Sequence, residues 1–539
     1  MIELPEYDPL KYAYPSRRGL IYGKKGIVCT SQPLAAQAGL DILKQGGNAV
    51  DAAVATAICM AVVEPVSNSV GSDAFALVWV KDKLYGLNGS GPAPMLADAE
   101  KVRAQGFSEM PMYGMVPLTV PGAPSAWLKL SERFGKLPFE KLFEPAIRYA
   151  EEGFPVSPII AQVWDICFKR FLRIFQSEQH KPWFDTFASA GRAPAPGELW
   201  SSKELAETLR TLAATKCQAL YGGPLAEKIG AYCETFGGFL RQEDFARYSA
   251  EWVEPICVNY KGFDVWEIPP NGHGIVALMA LNILKGFEFS GRDNADTFHK
   301  QLEAMKLAYV DGKRYVSDPR SMKVSVSQLL SEEYAAQRRA LIGEKAIPPE
   351  PGKPDKGGTI YLCTADEEGN MVSFIQSTYW NFGSGIVAPG TGICLQNRGA
   401  NFTLEQGHEN CLSPGKKPYH TIIPAFLSKD GRAVGPFGVM GGFMQPQGHV
   451  QMVMNTVDFH MNPQEALDAP RWQWVGEKEI HVERAFPYAA TEELLRRGHD
   501  MRVPPDSLDF GRGQIIWRTE YGTYVGATEP RADGAVAAW

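Results

Sequence analysis

The sequence predicts an α+β protein, with helices and strands grouped in different stretches of one long chain. Three observations carry that expectation. Residues 26–87 alternate strand, helix, helix and strands. From about 120 to 345 the pattern is mainly helical. From Thr359 onward it turns strand-rich, then ends in short helices and strands.

Taken in order, Gly26-Ile27-Val28-Cys29-Thr30-Ser31 is an apolar, β-branched run that reads as a strand. A helix follows from Leu34 to Lys44 and stops at Gly46-Gly47. Val50 to Val63 is almost all Ala, Val and Ile. A helix with no polar face has none to offer water, so it must be buried, and Glu64-Pro65 ends it. Ala74–Val80 and Lys83–Leu87 read as strands. Ala295 to Val316 carries apolar residues at helical spacing and ends before Asp318-Pro319. Residues 345–358 form the clearest linker, because Pro348, Pro349, Pro351 and Pro354 forbid helix and sheet there. No internal repeat is present.

Bulk properties exclude several classes. At 539 residues, length alone would suggest several domains, and 45% hydrophobic with 21% charged residues is a globular composition. A net charge of -7 argues against nucleic acid or an anionic membrane as partner. The start, Met1-Ile2-Glu3-Leu4-Pro5, has no basic and apolar signal pattern. The apolar run Ala52–Val63 is far short of the roughly 20 residues that span a bilayer. Nine cysteines without CxxC spacing read as buried free thiols, and nine histidines without HExxH spacing offer no metal site. The expectation is a cytoplasmic protein with no cofactor and no metal.

The chemistry gathers at Thr359. It follows the polar, Gly-rich stretch Pro354-Asp355-Lys356-Gly357-Gly358 and opens the strand Thr359–Ala365. A self-cleaving chain needs a bendable segment before the scissile bond and a rigid one after it. Cleavage of Gly358–Thr359 would leave a residue with both a hydroxyl and a free α-amine, a nucleophile and its general base together. Met371–Tyr379 reads as the returning strand, with Asp366-Glu367-Glu368-Gly369-Asn370 as the turn. A hairpin centred on residue 368 pairs Ala365 with Met371 and sets Thr359 opposite Ser377. Directly opposed Cβ atoms are about 4.5–5.5 Å apart, so Ser377 could hydrogen-bond Thr359. Taken alone, a Gly-Gly-Thr is far more often structural.

Further on, Val434-Gly435-Pro436-Phe437-Gly438-Val439-Met440 leads into Gly441-Gly442, then a helical run from Gln447. Free backbone N–H groups at such a turn make an anion nest, which an amidase needs for its oxyanion. A tight turn that uses glycine only for its backbone angles fits the residues equally well.

The sequence resembles the gamma-glutamyltransferase family of N-terminal nucleophile hydrolases, in its glutathione hydrolase-like branch. Gly46-Gly47-Asn48-Ala49-Val50-Asp51-Ala52-Ala53 looks like the family's early signature. Pro269-Pro270 with Leu281-Asn282-Ile283-Leu284, Glu303-Ala304-Met305-Lys306, and Thr359 through Phe382-Gly383-Ser384-Gly385 are similar to later blocks in the same order. The resemblance implies a four-layer αββα sandwich. It also implies autocleavage at Gly358–Thr359 into a large subunit (1–358) and a small subunit (359–539) that together form one unit, with a dimer of such pairs possible. Thr359 matches the family's nucleophile, Ser377 its supporting hydroxyl, and Gly441 and Gly442 its oxyanion glycines.

The match departs at the substrate. The family's carboxylate-binding arginine is matched by Asn88, and its amino-binding acid by Asn401. Its paired serines are matched by His420 and Thr421, and a glutamine by Arg398. Arg398 suits a carboxylate on the acyl half of a substrate, or a structural salt bridge. The expected partner is a small-molecule amide. Gamma-glutamyl compounds such as glutathione are the family default. A small carboxylate amide such as oxamate is the alternative, and a non-catalytic binding protein the alternative of another class.

Overall fold

A computed structural model describes Asp8, Leu10 and residues 18–349 and 358–539. Residues 350–357 of the expected linker lie outside the described residues, and 345–349 are neither helix nor strand.

Two seven-stranded sheets form the centre. One runs Ala535–Ala538, Gly26–Thr30, Gly358–Asp366, Met371–Tyr379, Asp73–Val80, Lys83–Gly89 and Glu251–Val253. The other runs Ile21–Gly23, Tyr524–Thr528, Arg512–Arg518, Arg432–Met440, Ala425–Lys429, Phe263–Glu267 and Ile256–Tyr260. Their inner faces pack together, with Gly358–Asp366 against Arg432–Met440 and Arg512–Arg518. Each sheet draws strands from both sides of position 358.

Helices cover both outer faces, giving an αββα sandwich. On the first sheet lie Pro33–Lys44 and Ala49–Val63. Every residue of Ala49–Val63 is buried, as its composition requires, and Asn48 with Asp51 closes a capping box at its start. Each fully buried Val or Ile there contributes about 1.5–3 kcal/mol. On the second sheet lie the wholly buried Gly274–Leu284 and the helix Gln445–Val457, with Ala295–Tyr315 packed on Gly274–Leu284.

Sequence and structure differ in three places. The strands Glu251–Val253, Ile256–Tyr260 and Phe263–Glu267 interrupt the stretch expected to be mainly helical. They are short β-branched and aromatic runs, and Lys261-Gly262, both at positive φ, make the tight turn that pairs the last two. The helix expected from Gln447 starts at Gln445, because Pro446 fits the first turn, where its missing N–H costs nothing. Cys257 is exposed and Cys411 half-buried, while the other seven cysteines are buried, and all nine are free thiols. Among the described residues no helix is long and apolar enough to cross a membrane.

Candidate active site

The hairpin has the expected register, with Ala365 opposite Met371 and Ile360 opposite Gln376. Near its open end the register slips, so that Gly358 faces Tyr379. Two residues, Ser377 and Thr378, therefore oppose Thr359. Such a bulge re-aims side chains. Here the Thr359 hydroxyl donates to Ser377 Oγ at 3.1 Å, and Ser377 Oγ accepts the Tyr379 N–H at 2.8 Å. Tyr379 carries the distortion at φ +78°. On its other side the strand Gly26–Thr30 ends opposite Leu362, so Thr359 to Tyr361 project past it. Gly358 and Thr359 are consecutive in one strand, so the Thr359 nitrogen is a peptide nitrogen here.

Strand Arg432–Met440 delivers the glycine turn. Gly441 and Gly442 take φ +128° and +58°, a short 3₁₀ turn follows, and the helix Gln445–Val457 begins. A Cβ on Gly441 would lie 3.0 Å from Gly511 Cα, a tight contact added to a backbone conformation that favours glycine. The strand is fixed from behind: Val439 N–H donates to His449 Nε2 at 3.1 Å, which leaves the ring proton on Nδ1, 2.6 Å from Glu267 Oε1. Burial pushes His449 down to about 3, keeping it neutral. Gln445 reaches back, with Nε2 3.5 Å from Thr359 Oγ1 and Oε1 accepting Ile423 N–H at 2.9 Å. Thr359 and Gly441 line one cleft of about 160 Å³, together with Trp380, Asn381, Arg170 and Arg512. A hydroxyl, a supporting hydroxyl and a glycine turn around one cleft can carry out acyl transfer.

Behind Ser377 lies a buried charge cluster. Ser377 pairs across its second edge with Asp73. The Asp73 carboxylate accepts from Gly91 N–H at 3.0 Å, Gly122 N–H at 3.2 Å, Gln396 Nε2 at 2.8 Å and His420 Nε2 at 2.9 Å. Four donors favour the ionised form. Burial nevertheless pushes this carboxyl up to about 7, against the pull of the Arg398 charge. His420 is held well below its ordinary value by burial and then by Arg398, and its Nδ1 accepts Ile422 N–H at 3.4 Å, so the ring is neutral with the proton on Nε2.

Arg398 is fully buried, which lowers it to about 10. Its Nη1 donates to Thr421 Oγ1 at 2.6 Å, and its guanidinium lies 4.6 Å from the centre of the Tyr379 ring. Its Nε and Nη2 have no hydrogen-bond partner among the described residues. Arg398, Thr421, His420 and Asp73 thus form one cluster next to the Thr359–Ser377 pair. Asn401 ends the 3₁₀ turn that Arg398 begins. Its carbonyl accepts from Asn410 Nδ2 at 2.6 Å, while its own Nδ2 is buried and unpartnered.

Asn88 is not brought to the Thr359 cleft. It lies opposite Phe75, three strands from Thr359, and at about 4.8 Å per strand that is roughly 14 Å. Its amide bonds Asn271 Oδ1 at 3.0 Å and Ser90 N–H at 2.9 Å, and it lines a separate cavity of about 420 Å³. The Asn271 carbonyl in turn accepts His420 N–H at 2.9 Å, so Asn88 is linked to the Arg398–His420 cluster through Asn271.

Asp73, Gln445, Trp380, Arg170 and Arg512 escaped the sequence reading. Only Asp73 left a signal, a carboxylate opening an otherwise apolar strand. A His299, Glu303 and His499 cluster has metal-like spacing. However, Lys306 pairs with Glu303 at 2.5 Å and the two rings bond each other at 2.9 Å, so these groups are committed to one another.

Comparisons with known proteins agree on what this constellation belongs to. The family model for gamma-glutamyltranspeptidase matches residues 35–539. The chain is 35% identical over 530 residues to the glutathione hydrolase-like YwrD proenzyme of Bacillus subtilis, covering 96% of this chain and 98% of that protein. It is 34% identical to the oxamate amidohydrolase proenzyme of Klebsiella pneumoniae, covering 95% and 98%. The crystal structure of cephalosporin acylase from Bacillus halodurans superposes with a TM-score of 0.97 at 58% identity, covering 99% of each chain. The chain belongs to the gamma-glutamyltranspeptidase family and is an amidohydrolase of the N-terminal nucleophile type.

Proposed function

We propose that the chain cuts itself between Gly358 and Thr359 and then hydrolyses short amides whose acyl half ends in a carboxylate, that is, monoamides of dicarboxylic acids. The observation that carries it is the Thr359 hydroxyl, 3.1 Å from Ser377 Oγ and in one cleft with Gly441. The proenzyme names of the relatives favour self-cleavage.

In the uncut chain the Thr359 hydroxyl attacks the Gly358 carbonyl carbon. The C–N bond breaks, an ester to Thr359 Oγ1 forms, and water hydrolyses it, leaving a carboxylate on Gly358 and an amine on Thr359. That amine, with an ordinary value of about 7.7–8.0, takes the hydroxyl proton as Oγ1 attacks the substrate carbonyl. Backbone N–H groups of the Gly441–Gly442 turn receive the oxyanion. The amine half leaves with the proton, and water cleaves the acyl ester.

Arg398 supports the substrate class. Its two unpartnered N–H groups match a carboxylate's two oxygens, once the Tyr379 ring swings aside. A glutamyl head group also needs an anion for its ammonium. Asp73 already accepts four hydrogen bonds, and Asn401 is neutral. Gamma-glutamyl compounds remain the second reading, favoured by family membership and by the glutathione hydrolase names among the relatives. A panel of glutathione, oxamate and a glutaryl anilide, assayed for amine or ammonia release, separates the two. Glutathione turnover far above the rest would overturn the dicarboxylic preference. A single uncut band that persists on long incubation would overturn the mechanism.

A further inference from the structure

We propose that Arg512 and Arg170 read an anionic group on the amine half of the substrate, an inference that rests on the acyl half lying toward Arg398. With the acyl half directed behind Ser377, the open cleft in front of Thr359 is left for the leaving amine.

Register puts a cation there. Arg512 begins the strand Arg512–Arg518 and pairs with Met440, the residue immediately before the Gly441 turn. Paired Cα atoms are about 4.5–5.5 Å apart, so this arginine is anchored beside the turn that receives the oxyanion. Arg512 is half-buried, and its Nε is shielded from water without a hydrogen-bond partner among the described residues.

The second guanidinium, Arg170, comes from the exposed side of the helix Pro158–Ile174 and lines the same cleft, beside Tyr113. Asp509 is the one acid among the residues lining this cleft, so the two guanidinia outnumber it. Two buried acids also feel Arg512: burial pushes Glu64 up to about 7 although Arg512 draws it down, and burial raises Asp533, so both carry less negative charge than exposed carboxylates would. With two guanidinia against one carboxyl, the lining of the cleft that holds Thr359 carries more positive than negative groups. A neutral amine would leave that charge unused, whereas an amino acid or aminobenzoate would engage it.

Two aromatic amines that differ only by a carboxylate, 5-amino-2-nitrobenzoate and 4-nitroaniline, test this by equilibrium dialysis against the purified protein. The carboxylated amine is expected to bind about fivefold more tightly or better. Arg512→Gln and Arg170→Gln should each shrink that ratio. Arg192→Gln, a surface arginine paired with Glu198, changes net charge equally and should preserve it. Equal binding of the two amines overturns the proposal, and so does a preference that survives in both R512Q and R170Q. If R512Q does not fold, the exposed R170Q decides. Binding of the free amine needs no turnover. A substrate panel that fails therefore counts against the acyl assignment, while the dialysis ratio still judges the amine site.

Discussion

Arg398→Met removes the buried guanidinium while keeping most of its length, and two opposing effects set the outcome. Breaking a buried ion pair by deleting one partner often costs about 3–5 kcal/mol, because the other charge is stranded. Arg398 acts on Asp73 through its nearby charge, and Asp73 keeps its four hydrogen-bond donors when that charge goes; its carboxyl already sits at about 7 with the cation present. Without Arg398 it rises further and takes a proton near neutral pH, so the loss should shrink to about 1–2 kcal/mol at pH 7 and grow at pH 8.5. Activity behaves differently. A substrate carboxylate loses a charge-assisted contact of about 1.5–3 kcal/mol, a fall of roughly ten- to 150-fold in kcat/KM. An acyl anilide ending in a methyl ester, which has no charge to lose, should fall much less. The assay compares kcat/KM for a glutaryl anilide and its methyl ester in both proteins, with urea midpoints at pH 7 and 8.5. Equal losses for acid and ester would refute a recognition role. A stability loss that ignores pH would refute Asp73 as the group left behind.

Thr359→Ala should leave a single band near 59.3 kDa on denaturing gels and no amidase activity, whereas a cleaved T359A would exclude the hydroxyl as the attacking group. Gly441→Ala forces φ +128° on a residue with a Cβ, 3.0 Å from Gly511 Cα. It should cost about 1–3 kcal/mol of stability and about 10²–10³ in kcat of the processed fraction, read by active-site titration. His499 is held at about 2 by burial against an ordinary 6.5, so the unfolded chain binds a proton there that the folded chain refuses. The stability this histidine contributes is present above pH 6.5 and is lost at up to about 1.4 kcal/mol per pH unit below it. Urea midpoints at pH 7.5, 6.5 and 5.5 should fall less steeply in His499→Gln, and parallel slopes would refute the assignment.

The parts legible in the sequence were those set by local pattern. The apolar run from Val50 to Val63 announced a buried helix. The turn around Glu368 announced a register, and arithmetic on that register brought Ser377 to Thr359. The bulge was not legible, because nothing in Ser377-Thr378-Tyr379 marks a slip of one residue. The place of Asn88, three strands from Thr359, was not legible either, since sequence alignment carries no information about intervening strand spacings. Asp73 and Arg512 were missed because each acquires meaning only through a partner far along the chain, Asp73 through Ser377 and His420, Arg512 through Met440. The hairpin at Lys261-Gly262 was hidden by the helical character of its surroundings.

The bulge joins two features that otherwise look independent. By setting two residues against Thr359 it turns the Ser377 hydroxyl toward the nucleophile. The same slip throws Tyr379 into a left-handed conformation that a bulky residue seldom adopts. Its ring packs against the Arg398 guanidinium, whose Nε and Nη2 have no hydrogen-bond partner among the described residues. Gly358 is the residue that faces Tyr379 across the ladder. If the chain is cut between Gly358 and Thr359, Gly358 loses its place in the strand opposite Tyr379, so the cut that frees the Thr359 amine would also loosen Tyr379. Nucleophile activation and access to Arg398 would then depend on one covalent event. In that case Tyr379→Gly, which suits the left-handed conformation and removes the ring, should bind glutarate more tightly in an uncut Thr359→Ala background than T359A alone. Equal glutarate binding by the two would separate the nucleophile from the acyl pocket and leave Tyr379 with a structural role.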